Sequence, residues 1–170
     1  MREAIYILLP PLFIIAGYTE VKERRIPNWL TYSVAVCALC ASLAVCGMEG
    51  LKSSGMGLLL GAGAFLPFCL AGAVGGGDFK MMGAVGAVIG YPMVLWGLYY
   101  TVLAGGALAL FYAIWHGRLL STLAEVARML LGRGRGGKEG EGLRKVPTLP
   151  FGLAIAIGTI WAIVARNMDL

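Results

Sequence analysis

The sequence predicts an all-α, polytopic membrane protein with about six transmembrane helices, built as a single membrane-embedded domain over residues 1–170. Three observations predict it. Hydrophobic residues make up 59% of the chain and charged residues only 14%, far from the balance of soluble domains. The hydrophobic residues fall in runs close to the roughly 20 residues that a helix needs to cross hydrocarbon. The charges that remain gather between those runs, and a length of 170 residues is that of one domain.

The first run, 4–19, follows Arg2 and Glu3, contains Pro10 and Pro11, and is not followed by an A-x-A-like cleavage site. It therefore reads as a retained span and not as a secretory leader. Runs at 30–48 and 56–74 give the second and third spans. A shorter stretch, 79–91, follows three glycines and gives a short fourth, and 93–115 and 149–165 complete the six. Before the last span, Leu119, Leu120, Leu123, Ala127, Leu130 and Leu131 recur at three-to-four spacing, opposite Ser121, Thr122, Glu125 and Arg128. That pattern predicts a short amphipathic helix, lying on the inner membrane surface or docked on the spans. Residues 132–145, "GRGRGGKEGEGLRK", have almost nothing to bury and predict a mobile loop.

Charge sets the orientation. With 20–29, 75–80 and 116–148 on the cytoplasmic side, eleven of the fourteen Lys and Arg residues face inward, leaving Arg2, Lys52 and Arg166 outside. This is the positive-inside asymmetry, with both termini outward. The net charge of +5 would also suit a nucleic acid, but loops held against a bilayer account for it with fewer assumptions. Membrane lipid is the expected partner and nucleic acid is not.

Cys37 and Cys40 form a C-x-x-C, and Cys46 and Cys69 also lie in apolar runs. A zinc site takes about four ligands, and no second pair or nearby histidine accompanies this one. The cysteines read as small hydrophobes in helices, and no metal or cofactor is expected. Gly57 with Gly61 and Gly86 with Gly90 have the G-x-x-x-G spacing that lets helices approach closely in lipid. It fits internal packing and a homo-oligomer equally.

Among the nine acidic residues, only Glu20 and Asp78 abut the inner ends of spans with apolar or glycine neighbours. Ionisable groups near hydrocarbon are expensive and are usually functional or paired. For Glu20 an ordinary interface residue, solvated beside Lys22, is equally compatible. Asp78 follows Gly75, Gly76 and Gly77, which suggests a backbone opened for close approach of a ligand; an N-cap for 79–91 is the plainer reading. Both acids fall at the same predicted depth. Two carboxylates brought together share a proton, so one can act as base toward water while the other donates to a carbonyl. Lys80 lies two residues on, where it can reach phosphate headgroups or a substrate carboxylate.

"GGGDFK", Gly75 to Lys80, resembles the second active-site motif of type IV prepilin peptidases, membrane aspartyl proteases of the GxGD class. "EVKERRIPN", Glu20 to Asn28, resembles their first motif, and "VPTLPFGLAIAIG", Val146 to Gly158, is similar to the start of their last span. The resemblance implies an aspartic endopeptidase that removes the leader from prepilin-like substrates at the cytoplasmic face. It implies catalytic roles for Glu20 and Asp78, and room for an extended substrate at Gly75 and Gly77. Pro27 and Asn28 form the turn into the second span, by structure or by substrate contact. The family places aspartate where this chain has Glu20, so a weakened or inactive peptidase-like scaffold in pilus assembly is the alternative. A small transporter is disfavoured by the lack of repeated halves. With no room for a paired-C-x-x-C methyltransferase region, the chain resembles the short peptidase-only form of Tad/Flp-type pili, with archaeal preflagellin peptidases as neighbours.

Overall fold

The structure, a computed structural model, describes residues 2–23, 26–70, 74–115 and 151–168. A 3₁₀ helix, Arg2–Leu8, leads into α1 (Leu9–Glu23), followed by α2 (Asn28–Leu70), α3 (Gly76–Ile89), α4 (Met93–Trp115) and α5 (Phe151–Asn167). No strand occurs among the described residues, so the all-α expectation holds. Pro10 and Pro11 stand in the first turn of α1, where missing N–H groups interrupt little. The predicted amphipathic helix, the 132–145 loop, His116, Arg24 and Arg25 lie outside the described residues.

The 43 residues of α2 would extend about 64 Å as one straight helix, twice the thickness of a hydrocarbon core. Gly47 prevents that, with φ 62° and ψ −151°, a left-handed conformation that favours glycine. A Cβ on Gly50 would meet the backbone oxygen of Ser42, although eight residues along a straight helix lie about 12 Å apart. The helix is thus a hairpin of two arms, 28–46 and 48–70. Asn28 lies beside Lys80 at one end of α3, Ser53 beside Tyr91 at the other, and Gly61 returns to Met82. The sequence suggested a break over 49–55. Those residues are helical, with Lys52 and Glu49 paired at 2.9 Å one turn apart.

α3 is the centre of the fold. Every residue from Met81 to Gly90 is buried, as expected for a helix that is apolar on all sides. The second arm of α2 lies against it through glycine. A Cβ on Gly57 would strike the Gly86 carbonyl, one on Gly86 the Gly57 carbonyl, and one on Gly61 would sit 2.5 Å from the Met82 oxygen. The Ser54 hydroxyl then donates to the Ala87 carbonyl at 2.6 Å, a polar link between the two backbones. The two G-x-x-x-G pairs therefore pack on each other within one chain. α5 packs on α1 and α3, with Gly158 against Thr101 of α4.

The chain divides into two compact units, Met1–Ala104 with Pro150–Leu170, and Gly105–Leu149. The first holds the features above. Of the second, the end of α4 is described, with the Phe111 and Trp115 rings 5.8 Å apart. By length and composition α2 and Met93–Phe111 are apolar enough to cross a membrane, and Ala4–Glu20 and Phe151–Arg166 are shorter apolar helices. The outward faces carry large hydrophobic side chains such as Ile7, Leu59 and Leu70, each at least 70% exposed. An apolar surface of that kind suits lipid and not water.

The glycine seam gives a stability prediction with opposite signs at two sites. Gly86→Ala drives a methyl into the Gly57 backbone and should destabilise the fold by about 1–3 kcal/mol, as overpacking does. Gly63, in the same arm of α2, has open space at its Cβ position, and Gly63→Ala should be neutral or stabilising by up to about 1 kcal/mol. Thermal midpoints of the two variants in one detergent check this.

Candidate functional site

The two acids are carried by helix ends. Glu20 is in the last turn of α1 and Asp78 in the first turn of α3. Both lie at the ends of the apolar runs 4–19 and 79–91, not within them. What brings them together is the short connection into α2. Ile26 is only 8% exposed and lies over Gly77, where a Cβ would come within 3.1 Å of the Ile26 Cβ. A side chain at 77 would make Ile26 give way by a few tenths of an ångström. Pro27 ends the connection, and its carbonyl accepts the Leu30 N–H at 3.2 Å to start α2. At the next position the Asn28 Oδ1 accepts a hydrogen bond from Lys80 Nζ at 2.9 Å, and Lys80 also lies 5.5 Å from the centre of the Tyr32 ring. The residues from Ile26 to Asn28 thus fasten the first motif to the second. Lys80, expected to face headgroups or substrate, is engaged with Asn28 and Tyr32.

The start of α3 differs from both readings of the glycines. Gly75 is the N-cap, with extended dihedrals of φ −69° and ψ 147°, and Gly76 and Gly77 are already helical. The backbone there is not opened, and Asp78 is not the N-cap. It is the third helical residue, and its carboxylate reaches back to accept the Gly75 N–H. An acid at this position commonly satisfies the cap N–H, which no helical carbonyl can reach. Gly75 leaves space for it, since a Cβ there would sit 3.2 Å from Asp78 Oδ2. Gly75 and Gly76 are exposed, and Gly77 is half-buried under Ile26.

Glu20 is held by an element that its own motif does not contain. Its carboxylate accepts a hydrogen bond from the backbone N–H of Gly152, the second residue of α5. A Cβ on Gly152 would lie 2.5 Å from Glu20 Oε2 and 3.6 Å from the Met81 sulfur. Each acid therefore sits at a helix N-terminus, where unpaired N–H groups and the helix dipole favour negative charge. Sequence reasoning missed Gly152 and Ile26 as parts of this arrangement. The glycine just inside the start of the last apolar run was the available hint.

Burial sets the proton affinities. Asp78 is pushed up to about 6, first by burial and then by the charge of Glu20, against the Gly75 hydrogen bond that favours the ionised form. Burial raises Glu20 as well, opposed by the Gly152 N–H. Lys22 lies 5.6 Å from the Tyr18 ring centre and Lys80 bonds Asn28. Among the described residues neither acid has a salt bridge, the one such pair being Lys52 with Glu49. Burial favours the protonated form of both acids, and the charge of Glu20 adds to that effect at Asp78.

Cys37, Cys40 and Cys46 are exposed on the first arm of α2, and Cys69 is half-buried. No group of three His, Cys, Asp or Glu side chains that could hold a metal occurs among the described residues. A family model described as the type IV leader peptidase family matches residues 7–114, a stretch containing both acids but not Gly152. No curated protein and no solved structure matches the chain.

The electrostatic pairing can be read without any substrate. Asp78 and Asp169 are the two aspartates of the chain, so aspartate labelled with ¹³C at the side-chain carboxyl gives two signals, and Asp169→Asn identifies them. Asp78 should titrate near 6. Glu20→Gln removes the neighbouring negative charge that disfavours ionised Asp78, so the midpoint should fall toward 3.8 without reaching it, because burial, the larger cause, remains. A midpoint unmoved by Glu20→Gln would mean the two groups do not sense each other.

Proposed function

The chain belongs to the type IV leader peptidase family, and we propose that it is an aspartic-type endopeptidase that removes the leader from prepilin-like substrates at the cytoplasmic face of the inner membrane. What supports this reading is the family match over residues 7–114, a stretch that carries Glu20 in the last turn of α1 and Asp78 in the first turn of α3.

Each group has a defined part. Ionised Glu20 takes a proton from a water held between the acids as its oxygen attacks the scissile carbonyl carbon. Asp78 gives its proton to the carbonyl oxygen, leaving a neutral gem-diol, a protonated Glu20 and an ionised Asp78. Glu20 then delivers its proton to the departing amide nitrogen as the C–N bond breaks. Asp78 takes a proton back from a gem-diol hydroxyl, and both acids return to their starting states. The cycle is closed in protons and needs no metal or covalent intermediate. The exposed edge at Gly75 and Gly76 is where an extended substrate can approach Asp78, while Gly77 supports the site through Ile26.

In the membrane, α1, the two arms of α2, α3, α4 and α5 would form six spans with both termini outward. Tyr18, Trp29 and Tyr32 are exposed near the two acids, as aromatic residues at a membrane interface are. Lys22 beside Tyr18 adds a cation for lipid headgroups.

Co-expression with a candidate prepilin tests the enzyme reading by leader loss on a gel. Asp78→Asn and Glu20→Gln should each lower cleavage by about a hundredfold or more, the usual size of general acid–base contributions, while the protein still inserts in the membrane. Cleavage at the parent rate in Glu20→Gln would contradict a two-acid mechanism.

A further inference from the structure

Glu20 is one methylene longer than an aspartate, and its carboxylate reaches the start of α5. Its Oε2 lies where a side chain on residue 152 would begin, and the Met81 sulfur is 3.6 Å from the same point. Gly152 is buried at the start of α5, and its N–H, one of those a helix cannot satisfy internally, points to the Glu20 carboxylate.

We propose that Gly152 is a positioning residue for Glu20, its missing side chain making room for the glutamate carboxylate and its N–H fixing where that carboxylate stands. This rests on the peptidase reading above and adds a third chain element, the beginning of α5, to a site otherwise built from α1 and α3. Glutamate at 20 and glycine at 152 then form a matched pair. A methyl group at 152 displaces the longer acid by about the distance at which general-base geometry fails. A shorter acid at 20 withdraws from 152 and leaves space for the methyl.

The test is a cycle of four chains: the parent, Gly152→Ala, Glu20→Asp and the double variant, assayed for leader cleavage and for the Asp78 carboxyl titration. Gly152→Ala should slow the glutamate chain by about tenfold or more, since displacements near 1 Å can cost about a hundredfold, yet slow the Glu20→Asp chain by less than about threefold. Equal losses in both backgrounds, or none in either, would overturn the pairing and leave Gly152 a packing residue. If Gly152→Ala prevents folding, recovery of folded, cleaving protein in the double variant supports the proposal, and failure to recover overturns it.

The titration separates this claim from the enzyme reading. A carboxylate displaced from the Gly152 N–H changes both its distance from Asp78 and its own proton affinity, so the Asp78 midpoint should move in Gly152→Ala. An unchanged midpoint would overturn the positioning role. A parent chain that cleaves no prepilin would sink the peptidase reading alone, while this midpoint still decides the contact.

Discussion

A carboxyl group at the end of a largely buried helix loses part of its hydration, and the arrangement of the site follows from how this chain offsets that loss. Asp78 opens α3, whose residues 81–90 are all buried, so burial is the largest influence on its proton. The backbone N–H of Gly75 partly offsets that, and the N–H of Gly152 does the same for Glu20. Neither offset is complete. Burial therefore keeps the proton affinity of both acids above the ordinary carboxylate range.

α3 can occupy the centre only because its neighbours approach it closely. Glycines at 57, 61 and 86 remove the side chains that would hold the second arm of α2 away. In lipid, where there is little hydrophobic drive between helices, that contact rests on van der Waals packing and on interhelical hydrogen bonds such as Ser54 to Ala87. The hairpin turn at Gly47 then returns α2 along α3, so that both ends of α2 flank it. Asn28, at the start of the first arm, reaches Lys80 beside Asp78. The scaffold and the site are thus fixed by the same seam.

Much of this was legible in the sequence. Apolar runs place each helix, because crossing hydrocarbon requires a fixed length, and the two acids stand out because ionisable groups there are costly. The hairpin in α2 was anticipated, but its turn was placed late: Glu49 and Lys52 look like a loop by charge, yet they pair along one helical turn. Three glycines before an acid suggest an open backbone, whereas Gly76 and Gly77 are already helical. Gly77 in fact gives space to Ile26, a partner 51 positions away that no local pattern marks. Gly152 was hidden for the same reason, since its partner Glu20 lies 132 positions earlier. Periodicity reports what a residue does along its own helix, and these contacts run between helices.

The central claim is that Glu20 and Asp78 work as one unit holding one proton. The most direct measurement is the pH dependence of leader cleavage, taken beside the Asp78 carboxyl titration on the same protein in the same detergent. Asp78 is raised, so it carries the proton below about 6 and loses it above. The account predicts that cleavage falls as pH rises through that midpoint, with the two curves coinciding. A cleavage rate that stays level while Asp78 passes from protonated to ionised would contradict it.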